Sequence, residues 1–110
     1  MTITYHDIDW KNILLKRYQN YGLNELDVMV LFISDLILKL EGETIITCDI
    51  LSSYMSAKKD DLDISLNKLL EKKYLVLNDQ TMRFSLESFK SKLFDDLKKD
   101  LYLHSSTEET

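Results

Sequence analysis

A chain of 110 residues with a formal net charge of −5 and an isoelectric point near 4.9 is long enough for one domain with its own apolar core. It has no overall basic character of the kind a dedicated nucleic-acid binder needs. Cys48 is the only cysteine, which excludes an internal disulfide and a cysteine-based zinc site and fits a reducing cytoplasm, while glycine only at 22 and 42 excludes the phosphate-cradling loops of P-loop and dinucleotide enzymes.

From the N-terminus, Met1 to Asp9 is polar and lacks the basic start and apolar run of a signal peptide. Asp9 is placed to cap a first helix running to Tyr21, with Trp10, Ile13, Leu14, Tyr18 and Tyr21 on one stripe, and Gly22 supplies its left-handed stop. Asn24 caps a second helix from Glu25 to about Glu41, ended by Gly42. Its run Val28 to Leu40 is interrupted by Ser34, Asp35 and Lys39 and falls short of the ~20 residues needed to cross a bilayer, so no membrane contact is expected. From Val28 to Ile33 this helix is apolar nearly all round and must be covered on more than one side. In so small a domain, self-association is the simplest cover.

Thr44 to Thr47 is a β-prone run, and Thr47 caps a short helix from Cys48 to Met55. After a turn at Ser56 and Ala57, a helix from about Lys58 to Lys73 puts Leu62, Leu66, Leu69 and Leu70 on one face. Tyr74 to Leu77 and Met82 to Leu86 read as strands joined by the polar run Asn78 to Thr81. A last helix from about Ser88 to Leu101 carries Phe89, Leu93, Leu97 and Leu101, and His104 to Thr110, with no apolar residue, is expected to be a disordered tail. The expected fold is therefore mainly α with a small β-hairpin wing, a winged helix-turn-helix domain with an extra C-terminal helix. One domain spans 1–103: an N-terminal segment 1–9, a helix-turn-helix at about 48–73, a wing at about 74–86 and a helix at about 88–101, with 104–110 as tail.

Traces of catalysis are scarce. His6 and His104 lie in opposite terminal segments, and the adjacent acids Asp60 and Asp61, and Asp95 and Asp96, point in different directions on their helices and cannot flank one substrate atom. No histidine accompanies Cys48 in sequence, and a free cysteine is usually a buried apolar residue. Neither cofactor nor metal is expected, and the chain is not read as an enzyme.

The helix that would read DNA in a winged helix is acidic here. Opposite its leucines stand Asp60, Ile64, Asn67, Lys68 and Glu71, with Asp61 and Asp63 beside them. A major groove is read by Arg, Lys, Asn or Gln with phosphate contacts nearby, whereas an apolar centre with a polar rim is the anatomy of a protein interface. These residues are the candidate partner surface. Arg83 in the wing is the candidate DNA contact, since such arms enter minor grooves.

Two segments stand out together: NILLKRYQNYGLNELDVMVLF, Asn12 to Phe32, and a second that runs from Leu51 through Met55, Leu62, Leu66, Leu69 and Leu70 to EKKYL at 71–75 and a wing. In this order they resemble the N-terminal domain of the DnaD family of bacterial replication-initiation proteins. Together they cover roughly residues 8 to 95. The resemblance implies a primosome component that helps load the replicative helicase, self-associates as a homo-oligomer and contacts replication-initiation proteins. It leaves DNA binding weak here, or to a separate C-terminal domain outside these residues. It also places self-association in the N-terminal segment, at Tyr5, Ile8, Trp10 and Leu14. One position departs from the pattern, because Lys73 stands where such domains usually carry glycine. The competing reading is a winged-helix transcriptional regulator that binds operator DNA as a dimer.

Overall fold

The computed structural model describes residues 9–41 and 45–109. Among these residues, five α-helices and a two-stranded hairpin follow in the order α1 (Trp10–Arg17), α2 (Glu25–Leu36), α3 (Cys48–Ser52), α4 (Lys59–Glu71), β1 (Val76–Asn78), β2 (Arg83–Ser85) and α5 (Glu87–Glu109). The fold is mainly helical with a hairpin wing, as the sequence pattern predicts.

Local chemistry sets the helix starts. The Asp9 carboxylate accepts from the Lys11 N–H at 3.0 Å, and Thr47 Oγ1 accepts from the Ile50 N–H at 3.2 Å. Asn24 and Asp27 form a reciprocal capping box at the start of α2. After α1 the chain tightens into a 3-10 turn, Tyr18–Tyr21, and leaves it through Gly22 at φ 73°. A side chain there would strain the backbone, and its Cβ would lie 3.2 Å from Lys72 Nζ. At its far end α2 widens into a π-helical turn, Ile37–Glu41.

The core collects Leu14 from α1, Val30 and Leu31 from α2, Leu51 from α3, Leu62 and Leu69 from α4, and Phe89 and Leu93 from α5. Helix α4 packs on both α2 and α3, and α1 lies along α5. Across that last contact Arg17 pairs with Asp100, and the Tyr21 hydroxyl donates to Asp96 at 2.5 Å. Burial, then the hydrogen bond and charge of Asp96, push the Tyr21 phenol well above its ordinary pKa.

Helix α4 ends in a Schellman turn. The Tyr74 N–H reaches the Leu69 carbonyl at 3.0 Å and the Lys73 N–H reaches Leu70 at 3.1 Å, with Lys73 itself left-handed at φ 63°. The Leu75 N–H also bonds Leu69, so residues 74 and 75 serve the helix end and cannot pair in the wing. The first strand therefore begins at Val76 instead of the expected Tyr74. The hairpin register is Val76↔Ser85, Leu77↔Phe84 and Asn78↔Arg83. Lys73→Gly removes the cost of a side chain in the left-handed region and should stabilise the domain by about 1 kcal/mol, read as a thermal midpoint several degrees higher.

Further departures have local causes. The β-prone run contributes no strand among the described residues: Ile46 is 2 % exposed and plugs the core, and Thr47 is taken by its cap. Gly42 and Thr44 lie outside the described residues. Helix α3 stops at Ser52, and α5 continues to Glu109, past the expected end near 101 and into the segment expected to be disordered. No glycine or proline stands between 87 and 109 to stop the helix.

Candidate interaction surfaces

On α4 the leucines turn inward with Ser65, and Asp60, Asp61, Asp63, Ile64, Asn67 and Glu71 face outward. Ile64 is 67 % exposed. Four of the five predicted partner-surface residues, Asp60, Ile64, Asn67 and Glu71, thus share one exposed face. Lys68 does not join them freely. It is half-buried, and its Nζ lies 2.6 Å from Asp27 Oδ2, while Ser65 Oγ donates to Asp27 Oδ1 at 2.6 Å. With its lysine neutralised from below, the face is more acidic than its composition. A groove of about 160 Å³ opens beside Ile64, lined also by Leu26, Asp61 and Lys68.

Asp27 is 1 % exposed and closes the capping box of α2 as well as binding α4. Burial opposes its ionised form, but hydrogen bonds from Lys68, Ser65 and the Asn24 N–H outweigh it and hold the carboxyl below its ordinary pKa. Because the folded value is depressed, this contribution is complete above the ordinary Asp pKa of about 3.9 and is lost as pH falls through the folded value. The thermal midpoint should fall on acidification below about pH 4, and Asp27→Asn should flatten that fall in scans across pH. The capping spacing of Asn24 and Asp27 is visible in sequence; the link from Asp27 to Ser65 and Lys68 is not.

Cys48 is half-buried, and its thiol donates to Asp63 Oδ1 at 3.6 Å. Burial, and then Asp63, push its pKa up, so the reactive thiolate is disfavoured.

The predicted self-association residues separate. Tyr5 and Ile8 lie outside the described residues. Trp10 is half-buried, edge-on to Phe32 at 5.5 Å, with Lys90 Nζ 5.1 Å from its ring centre. Leu14 corrects the expectation: it is 0 % exposed in the core and offers a partner no surface. At the start of α1 the inward stripe includes both Ile13 and Leu14, and its neighbour Leu15 points out at 53 % exposure. What α2 leaves uncovered is a stripe of Met29, Leu36 and Leu40, the last 73 % exposed, in keeping with its apolar circumference.

Arg83 is exposed at the wing, beside a cavity of about 340 Å³ between the wing, α2 and the start of α5. Acids line it as well, Asp35 and Glu87 among them. Three lysines are already engaged: Lys59 pairs with Asp49 at 2.9 Å, Lys90 with Asp35 at 2.7 Å and Lys92 with Asp96 at 3.6 Å. A second cleft, about 540 Å³ between α1 and α5, mixes Arg17 and Lys92 with Asp96 and Asp100. Neither cleft is a continuous cationic track.

Among the described residues, no group of three or more His, Cys, Asp or Glu is placed to hold a metal ion, and no helix is long and apolar enough to cross a membrane. Comparison with curated proteins gave no match. The family model of the DnaD N-terminal domain matches residues 10–108, a span that takes in every helix from α1 and the whole wing. The paired first helices, the helix-turn-helix and the short wing are thus those of a known domain, and the chain belongs to the DnaD N-terminal domain family.

Proposed function

We propose that this domain is a non-enzymatic assembly module of DNA replication initiation, a primosome component in the cytoplasm that self-associates and contacts protein partners during helicase loading. The observation that carries this reading is the outward face of α4. The position that meets DNA in a DNA-reading winged helix holds Asp60, Asp61, Asp63 and Glu71 around an exposed Ile64, and its two lysines are paired, Lys68 with Asp27 and Lys59 with Asp49. Phosphates are repelled there, since non-specific DNA affinity comes from cations that displace counterions. An exposed aliphatic centre in an acidic rim instead matches a cationic protein segment with an apolar anchor. Self-association draws support from the uncovered apolar stripe of α2, larger than scattered single exposures require.

The test is a fluorescence-anisotropy titration of duplex and single-stranded DNA at low salt, where electrostatic binding is strongest. No saturable binding is expected. The exposed wing Arg83 is the observation that favours an operator-binding regulator, and tight, sequence-dependent binding that survives added salt and is lost in Arg83→Ala would establish that reading instead.

A further inference from the structure

The exposed stripe of α2 has a charge at each end and apolar side chains between. Glu25 stands at the start of the helix, Met29 and Leu36 are nearly half exposed and Leu40 is mostly exposed. Phe32 is half-buried between them under Lys11, and Lys39 is exposed near the far end. At 100° per residue, positions 25, 29, 32 and 36 fall on one side of α2, and Leu40 follows one turn on in the π-helical segment. Met29 to Leu36 runs about 10 Å along the axis at 1.5 Å per residue; Trp10 and Lys11 of α1 pack on Phe32 and the Tyr18 hydroxyl donates to Glu25, while Met29, Leu36 and Leu40 stay open to solvent.

We propose that this stripe pairs with the same stripe of a second copy of the chain, the two α2 helices running antiparallel about a two-fold axis near Phe32. The deduction rests on the self-association reading above and adds its geometry. A two-fold contact must be self-complementary. An axis near residue 32 sets Glu25 of one copy opposite Lys39 of the other, at both ends of the contact, and Met29 opposite Leu36. A parallel arrangement sets Glu25 against Glu25 and Lys39 against Lys39, which like-charge repulsion disfavours. The pairing also withdraws from water the apolar surface that the monomer leaves exposed.

The full chain carrying Cys48→Ser supplies the test. Chains with Met29→Cys and with Leu36→Cys, mixed and mildly oxidised, should form the mixed disulfide several-fold more readily than either chain forms its own. Leu40→Cys should not cross-link to itself, because antiparallel helices hold those positions roughly 20 Å apart along the axis, beyond disulfide reach. Leu36→Glu, on the surface, should keep the circular-dichroism spectrum and reduce the light-scattering mass to that of a monomer. If the unmodified chain is a dimer while Leu40→Cys cross-links readily or Leu36→Glu keeps the dimer mass, the antiparallel pairing is overturned and self-association stands. If the unmodified chain scatters as a monomer, as when residues 1–8 of the same chain cover the stripe, both are overturned.

Discussion

Lys90→Met is expected to destabilise the domain by about 3 to 5 kcal/mol, the usual cost of breaking a buried ion pair from one side. Lys90 Nζ lies 2.7 Å from Asp35 Oδ1, with the two side chains 4 % and 7 % exposed. Burial alone would favour the neutral amine, but the hydrogen bond and charge of Asp35 outweigh it and raise the Lys90 pKa. Removing the cation leaves the buried Asp35 carboxyl with Lys39, 59 % exposed, as its remaining ion-pair partner at 3.3 Å. In a domain whose total stability is on the order of 5 to 15 kcal/mol, that loss is large. The paired substitution Asp35→Leu/Lys90→Met should recover most of it, since two apolar side chains strand no charge. Urea unfolding of the three variants decides the matter: equal losses in the single and double variants would mean that the packing of Lys90 over Trp10, and not its charge, holds α5 in place.

Leu14→Ala is expected to cost about 3 to 5 kcal/mol through the cavity it opens in a fully enclosed site. Leu14 touches no surface, so below the unfolding midpoint its light-scattering mass should equal that of the unmodified chain. Denaturation and scattering measured on the same samples separate the two effects. A fall in mass without a fall in stability would show that Leu14 reaches a partner, contrary to its burial.

Much of the fold is legible in the sequence because its signals are local. Asp9, Asn24 and Thr47 each act on an N–H two or three residues ahead, and Gly22 and Lys73 take the left-handed turns that their positions after a helix imply. The long-range partnerships are not legible. Asp35 reads as an interruption of an apolar run, and its partner stands 55 residues away; Lys68 reads as part of an exposed face, and its partner Asp27 stands 41 residues away. No periodicity encodes such pairings, since they depend on how α2 is laid across α4 and α5. Leu14 shows the same limit on a smaller scale: the stripe that contains it is evident, but whether that stripe meets the core or a second molecule depends on the tertiary packing. The wing is displaced from its expected bounds because the Schellman turn takes the amides of residues 74 and 75.

The contact between α1 and α5 also has a kinetic meaning. Arg17 and Asp100 are 83 residues apart, and Tyr21 and Asp96 are 75 apart. Helices α2, α3 and α4 meet through much shorter loops. Because closing a long loop costs entropy before any contact repays it, the helix-turn-helix unit can assemble while α1 remains undocked. The seam between first and last helices is then the late step of folding and the early step of opening, so α1 and α5 would gain and lose amide protection together.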